Sequence, residues 1–229
     1  MFDFSKERII SMLLSLPAIL FALSVHELAH GWTANKLGDH TARNFGRLSL
    51  NPLRHIDLFG FIALLVVGFG WAKPVPVNSR YFKKPKRDMA LTALAGPAAN
   101  LLSAFIFGFF YVFVGKMCIN YFNANYLTIT EETIQLWSAL LNIVYAFVII
   151  NISLAIFNLI PIPPLDGSRL LDSFLPGKLF AAYHKYEQYI SLALMAILIF
   201  TDVISNLLGY ATSFVESIIL YIPQKVFNI

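Results

Sequence analysis

The stretch His26-Glu27-Leu28-Ala29-His30 has the residue types and the spacing of a zinc-type HExxH motif. On one turn of a helix, His26 and His30 face the same side and can bind a metal ion through their imidazole nitrogens. Glu27 then lies where a general base could take a proton from a metal-bound water. With five histidines among 229 residues, such a match is expected by chance only about 0.003 times. The motif therefore predicts a metal site with hydrolytic chemistry.

The surroundings of the motif are those of a membrane protein. The chain is 58% apolar and 13% charged, and its mean hydropathy is +0.67. These values are typical of polytopic membrane proteins and exclude an ordinary soluble domain. The motif continues an uncharged apolar run, Ile9 to Val25. Ionisable groups at the edge of a membrane segment are costly unless they serve a function, which strengthens the interpretation as a metal site.

Several uncharged segments approach or exceed the length of about 20 residues that crosses a bilayer. Gln188–Thr201 is shorter and extends if its flanking charges snorkel, whereas Ala211–Ile222 is broken by Glu216 and is too short to count as a span. We therefore predict an all-α polytopic membrane protein with about four to five transmembrane helices and a short C-terminal amphipathic or half-spanning segment. The three long segments are Ile9 to about Asn35, Met89–Gly115 and Thr133–Ile160.

Two other features of the composition carry less weight. Ala22-Leu23-Ser24 loosely resembles a signal-peptide cleavage site. Cleavage there would leave His26 near a new N-terminus, outside any helix, so we favour a membrane helix. The single Cys118 excludes an internal disulfide and matches no zinc-ligand spacing. Membrane topology explains the net charge of +4, and no nucleic-acid partner is expected.

The basic residues predict the topology of the chain. Ten of the 17 lysines and arginines lie between residues 36 and 87, whereas the loop 116–132 contains only one. By the positive-inside rule the first region is cytoplasmic and the loop is outside. The N-terminus is then outside, and the first helix places His30 and His26 roughly 9 and 15 Å inside the membrane. We expect a prokaryotic cell membrane, with the active site opening toward the cytoplasm.

The apolar segment Leu58–Ala72 is too short for a simple span, because its 15 residues measure only roughly 22 Å as a helix. A full crossing would place the basic residues of 73–87 opposite those of 36–54. Its valine, isoleucine and phenylalanine content, and the proline-containing stretch Trp71–Val77 that follows, favour an extended chain. We predict a re-entrant hairpin that dips toward the metal, which is permitted where backbone is buried in protein.

A third protein ligand is expected, because a catalytic zinc usually has three protein ligands and a water. The run Asn158–Gly167 contains three prolines that end the preceding helix, and Asp166 then begins a short helix extending to about Phe174. The chain enters this turn on the cytoplasmic side, at the depth of the two motif histidines. Asp166 could be only a helix N-cap, but beside an HExxH motif at matching depth it is the natural third ligand.

Three linked motifs resemble the site-2 protease family of intramembrane zinc metalloproteases. They are HELAH in a first membrane helix, AGPAAN at residues 95–100 in the next, and NLIPIPPLDG at 158–167 after another. The resemblance covers residues from about 9 to 175, in the family's order. The chain has no room for a PDZ or CBS domain, which puts in doubt any regulation that such domains would supply.

The resemblance implies roles for particular residues. Glu27 activates water, and Asn158 and Asn100 help to orient the substrate backbone. The hairpin at about 58–78 corresponds to the family's re-entrant strand element, thought to pair with an unwound substrate by strand addition. The implied ligands of one zinc ion are His26, His30 and Asp166.

Several of these residues also have a purely structural interpretation. Residues 96–99 can be a small-residue surface that lets two helices pack closely. Asn100 can be an interhelical hydrogen-bonding group, and Asn158 can cap backbone freed by Pro161. The remaining histidines are expected to be surface or interfacial residues: His40, His55 and His184.

We predict hydrolysis of a peptide bond in or near the transmembrane segment of another membrane protein. We expect one domain, in which a membrane-embedded metalloprotease core of residues 1–178 is extended by residues 179–229. The expected partners are the transmembrane substrate and the lipid bilayer. A catalytically silent homologue that binds membrane segments is one alternative, against which the intact ligands and base argue. A metal transporter is another, but Met89–Gly115 and Thr133–Ile160 contain no ionisable side chains apart from tyrosine.

Overall fold

The computed structural model of the chain describes residues 6–67 and 70–228. Within these ranges the regular structure is helical, and the only β-pairing is an isolated antiparallel bridge between Ile56 and Ala72. The prediction of an all-α membrane protein is confirmed. The α-helices of the described part are, in chain order, α1 (Lys6–Lys36), α2 (Thr41–Asn44), α3 (Leu58–Val67), α4 (Pro85–Ala124), α5 (Glu131–Leu159), α6 (Asp166–Asp172), α7 (Gly177–Phe200) and α8 (Val203–Phe227).

Four helices of the described residues are long and apolar enough to cross a membrane: Ile10–Lys36 within α1, and α4, α5 and α8. The three long segments predicted from the sequence lie in α1, α4 and α5. With 40 residues, α4 measures roughly 60 Å, about twice the thickness of the hydrocarbon core. Its ends therefore extend beyond the apolar layer.

The central helix of the bundle is α4, which packs against α1, α5 and α8. Small residues on α4 allow close approach of the helices, which is how membrane helices gain packing energy without a hydrophobic driving force. The buried core joins α4, α5 and α8 through Ala104, Val112, Val148, Ile152, Ile219 and Leu220.

The C-terminal helix α8 is longer than the sequence indicated. We expected a break at Glu216, but its carboxylate accepts a hydrogen bond from the Tyr145 hydroxyl of α5 at 2.9 Å. The helix therefore continues through Glu216 and runs for 25 residues. Its carboxyl end is held to α4 by a 2.5 Å hydrogen bond from Lys116 Nζ to the Phe227 carbonyl.

The expected span Gln188–Thr201 lies mostly in α7. This helix is not among the four that are long and apolar enough to cross a membrane. Its first half carries five polar or charged side chains that lower its hydropathy: Lys178, His184, Lys185, Glu187 and Gln188.

The segment predicted to be extended, 58–72, is helical over Leu58–Val67. Asp57 starts this helix, because its carboxylate accepts the Gly60 N–H at 2.9 Å, as a helix N-cap does. The two ends of the segment do meet as in a hairpin, since the Lys73 N–H donates to the His55 carbonyl at 2.8 Å. Gly60 allows the returning chain to approach, because a Cβ there would overlap the Trp71 carbonyl oxygen.

Candidate metal site

The two motif histidines lie next to each other on one side of α1. Their ring centroids are 4.5 Å apart, and both residues are buried. Gly96 of α4 faces these rings: a Cβ there would lie 2.5 Å from His30 Nε2 and 2.7 Å from His26 Cε1. The glycine in the small-residue stretch therefore makes room for the imidazoles, in addition to any packing between helices.

Asp166, the first residue of α6, completes a group of three metal-binding side chains with the two histidines. Its Oδ2 is 3.0 Å from His26 Nε2 and 3.2 Å from His30 Nε2. Leu165, not Asp166, is the N-cap of α6, and the Asp166 carboxylate points to the histidines. Among the described residues this is the group of histidine, cysteine, aspartate and glutamate side chains that could hold a metal ion.

Hydrogen bonds at the Nδ1 atoms orient both histidines to bind a metal ion through Nε2. His26 Nδ1 donates to Asn100 Oδ1 at 2.6 Å, and His30 Nδ1 donates to the Thr92 carbonyl at 2.7 Å. Because both acceptors require a proton on Nδ1, Nε2 is the nitrogen of each ring that is left to bind a metal ion. Donor atoms of a tetrahedral zinc site, with bonds of about 2.0–2.1 Å, lie about 3.3 Å apart. The donor types, tautomers and separations therefore fit zinc.

The charge of Asp166 also suits a metal ligand. Burial by itself raises the pKa of this carboxyl, but hydrogen bonds and charge from His26 and His30 outweigh burial and lower the pKa to about 2. The carboxylate is therefore ionised at neutral pH, as metal coordination requires.

Glu27 lies beside the histidines and is held from the opposite side by backbone. Its Oε2 accepts a hydrogen bond from the Val75 N–H at 2.7 Å. Val75 lies between Pro74 and Pro76, neither of which has an N–H to donate. One carboxylate oxygen of Glu27 is thus occupied, and the other can accept a proton.

A cavity of about 860 Å³ opens at this group. Asn158 of α5 contributes to its wall, and the Nδ2 of this residue donates to the Leu154 carbonyl at 3.0 Å. Residues from α7 also contribute, among them Leu194 and Leu198. The other polar residues of the predicted site that line the cavity are His26, Glu27, His30 and Asp166.

Asn100 lies on the other side of His26. It is fully buried between α1, α4 and α5, and its amide contacts are to protein groups. This position favours a role toward His26 over the predicted contact with substrate.

The other histidines are apart from the metal group. His40 Nδ1 bonds to Asn35 Oδ1 at 2.7 Å, and His184 lies between Asp172 and Glu187. His55 was expected at a surface or interface, but it is 1% exposed, because its Nε2 bonds to the Ser49 carbonyl at 2.7 Å within the connection after α2.

Sequence reasoning missed three groups around the site: the Thr92 carbonyl and the Val75 N–H, which contact its side chains, and the side chain of Asn151, which bonds to Asn100 behind it. The first two are backbone groups, which leave no mark in residue types. Asn151 did leave a signal, because an asparagine within an apolar membrane helix needs a polar partner.

Comparisons with known proteins point to a zinc metalloprotease. Residues 15–200 match the model of peptidase family M50. The chain is 41% identical over 171 residues to YwhC of Bacillus subtilis, which is named as a candidate zinc metalloprotease; the match covers 75% of this chain and 73% of YwhC. It is 28% identical over 186 residues to the similarly named Rip2 of Mycolicibacterium smegmatis, covering 79% of this chain and 64% of Rip2. For MJ0611 of Methanocaldococcus jannaschii, also so named, the identity is 29% over 170 residues, with 74% and 75% covered. No solved structure matches the chain.

Proposed function

This chain belongs to peptidase family M50, the site-2 protease family, and from that membership we propose that it is an intramembrane-cleaving zinc metalloprotease. Its substrate is another membrane protein, cleaved in or near a transmembrane segment. The observation that carries the proposal is the convergence of the HExxH histidines and Asp166 on one cavity that Glu27 also lines. The cofactor is one zinc ion.

In the proposed reaction, His26, His30 and Asp166 hold the zinc ion. When bound, zinc polarises the scissile carbonyl and lowers the pKa of a coordinated water toward 7. The chain's own contribution is to fix the two Nε2 atoms and the Asp166 Oδ2 in place through contacts on their far sides.

Glu27 moves the proton. It takes a proton from the attacking water and delivers it to the leaving amine. The Val75 N–H supports this role, because it holds Oε2 and so fixes the direction of the carboxylate. The free oxygen of the same carboxylate is then the atom that accepts the proton.

An intact substrate helix hides its carbonyls in internal hydrogen bonds, so the substrate must be locally unwound. The stretch 74–76 can receive it by strand addition. Pro74 and Pro76 lack an N–H and that of Val75 is bound to Glu27, so this stretch offers only carbonyl oxygens. A substrate strand donates its own N–H groups there and keeps its carbonyls free for hydrolysis. The Oδ1 of Asn158, on the cavity wall, can accept a further substrate N–H.

The apolar surroundings support a membrane substrate. A second cavity of about 430 Å³ adjoins the first, and Leu23, Leu154 and Leu198 line both. Its wall includes α3, which has no charged residue and exposes large apolar side chains such as Phe59 and Ile62. We infer that α3 enters the lipid and forms one side of the path by which a membrane segment reaches the zinc site. The basic residues of 36–87 support an opening of the site toward the cytoplasm.

The proposal is tested with a variant, Glu27→Gln, that should still bind substrate but lacks the proposed base and so cannot cleave it. Cells express the wild type, Glu27→Gln or Asp172→Ala, the last as a control in the same region of the chain. We expect one or more membrane proteins to accumulate uncut with Glu27→Gln, and to be processed with the wild type and the control. Unchanged processing by Glu27→Gln would instead favour the silent homologue that binds membrane segments.

A further inference from the structure

Behind His26 a row of buried amides crosses the bundle. The Asn100 Oδ1 accepts from His26 Nδ1, and the Asn100 Nδ2 donates both to the Ala22 carbonyl at 3.0 Å and to Asn151 Oδ1 at 2.8 Å. Asn151 in turn donates from Nδ2 to the Phe147 carbonyl at 2.8 Å. Both asparagines are 0% exposed. The row therefore joins α1, α4 and α5 out of contact with solvent.

We propose that Asn151 of α5 is a positioning residue for the zinc site: it holds the Asn100 amide in the one orientation that keeps the proton of His26 on Nδ1. The inference rests on the proposed function, in which His26 Nε2 binds zinc. The side chain of Asn151 bonds to Asn100 and to the Phe147 carbonyl, and Asn151 is not part of the cavity wall, so it acts through Asn100.

The direction of each amide is set by backbone carbonyls at the ends of the row. A carbonyl only accepts, so the Asn151 atom that faces Phe147 O is the NH₂ group, and its Oδ1 must face Asn100. Asn100 therefore presents its NH₂ group to Asn151 and Ala22, and only its Oδ1 remains for His26.

The reversed orientation of Asn100 would be damaging. Its NH₂ group would face His26 Nδ1 and require a lone pair there, which moves the imidazole proton to Nε2 and blocks metal binding. It would also place the amide oxygen against the Ala22 and Asn151 oxygens, in a buried place where unpaired polar groups are costly. Asn151 accepts the second N–H of Asn100. The observed orientation of the Asn100 amide therefore leaves neither of its N–H groups unpaired.

The test measures zinc affinity of the purified full-length protein in detergent by competition with a chelator. His26→Ala reports whether His26 binds zinc at all. Asn151→Leu removes the acceptor, and Asn151→Asp keeps an acceptor oxygen. Ser103→Ala is the matched control, because this buried hydroxyl on α4 donates to the Ala99 carbonyl of its own helix.

We expect Asn151→Leu to weaken zinc binding roughly tenfold or more, as loss of an outer-shell partner does. Asn151→Asp should restore most of the affinity, and Ser103→Ala should not change it. An Asn100→Asp background should abolish the effect of Asn151→Leu, because a carboxylate facing His26 has no reversed orientation.

Three results would overturn the inference while leaving the zinc site intact: wild-type affinity in Asn151→Leu, equal loss in Ser103→Ala, or no recovery in Asn151→Asp. Unchanged affinity in His26→Ala would overturn the proposed function itself. If Asn151→Leu does not yield folded protein, Asn151→Ala replaces it under the same criteria, since it removes the amide with no added apolar volume.

Discussion

His26 and His30 have hydrogen-bonding partners at both ring nitrogens, which suits them to the proposed role of metal ligands. Their Nδ1 atoms donate to Asn100 and to the Thr92 carbonyl, while their Nε2 atoms lie within 3.2 Å of the Asp166 carboxylate. Glu27 is likewise held by one backbone N–H. Each reacting group therefore has its position fixed before zinc or substrate arrives, which is the usual requirement of a precise catalytic site.

The role of Asp166 is tested by metal content. In Asp166→Ala the two histidines remain, but the charged third ligand is lost, so zinc affinity should fall by more than roughly 100-fold. Asp172→Ala, which removes the other aspartate of α6, should keep its zinc. The zinc content of both purified variants is measured by elemental analysis, and a full equivalent of zinc in Asp166→Ala would exclude Asp166 as a ligand.

The Val75 N–H can be removed by changing Val75 to proline, the one residue that lacks this donor. The flanking residues are already prolines, so an extended chain is retained. A hydrogen bond to a charged group contributes about 1.5–3 kcal/mol, so cleavage should slow roughly 10- to 100-fold while zinc content stays normal. Val75→Ala is the control, because it keeps the N–H and loses the side chain. Equal activity of the two variants would show that the N–H does not position Glu27.

At the scale of elements, the site depends on how closely α1 and α4 approach. The contact is possible because Gly96 presents no side chain to the histidine rings. The proline-containing turn after α5 then positions α6 so that Asp166 lies next to the two histidines. The returning chain after α3 supplies the Val75 N–H from a third direction.

Replacing Gly96 by alanine should therefore disturb the metal site. The added methyl would lie 2.5 Å from His30 Nε2, so one ring must move. We expect zinc affinity to fall roughly tenfold or more. Gly115→Ala on the same helix is the matched control, since a Cβ there has no atom within 4 Å. Wild-type zinc affinity in Gly96→Ala would contradict the close contact between α4 and the imidazoles.

The sequence was sufficient for those parts of the site whose chemistry resides in residue type and spacing. His26, Glu27, His30 and Asp166 could be predicted because a metal needs these side chains at these intervals. The sequence could not predict that Asn100 lies on the side of His26 away from the cavity, because that position depends on the rotation of α4 about its axis. Backbone donors and acceptors such as Val75 and Thr92 have no sequence signature. Over 58–67, β-branched and aromatic residues indicated an extended chain, but Asp57 caps a helix there, and a helix satisfies its own backbone hydrogen bonds in apolar surroundings.

For the molecule as a whole, the four long apolar helices of the described residues and the distribution of basic residues predict a membrane topology. Residues 79–88, which lead into the first turn of α4, should be cytoplasmic. The connection between α4 and α5 at 125–130 should be outside. The zinc site, near the first of these, then faces the cytoplasm.

This topology is tested by labelling single cysteines in intact cells with a membrane-impermeant maleimide. Both variants are made in a Cys118→Ser background, so that no other thiol is present. We expect Thr128→Cys to be labelled in intact cells, and Lys83→Cys only after the membrane is permeabilised; both positions are exposed. The reverse pattern would invert the topology and place the opening of the zinc site outside.

Isotope incorporation can show whether Glu27 directs water to a peptide bond inside a membrane segment. The membrane protein that accumulates with Glu27→Gln is incubated in lipid vesicles, in ¹⁸O-labelled water, with zinc-loaded wild type or zinc-loaded Glu27→Gln. Mass spectrometry then locates the new termini. We predict that the wild type yields a new carboxyl terminus within or beside the apolar segment, carrying ¹⁸O, and that Glu27→Gln with equal zinc yields none. The same product at the same rate from Glu27→Gln would contradict the role of Glu27 as the base. Cleavage only in parts of the substrate far from the membrane would contradict intramembrane proteolysis.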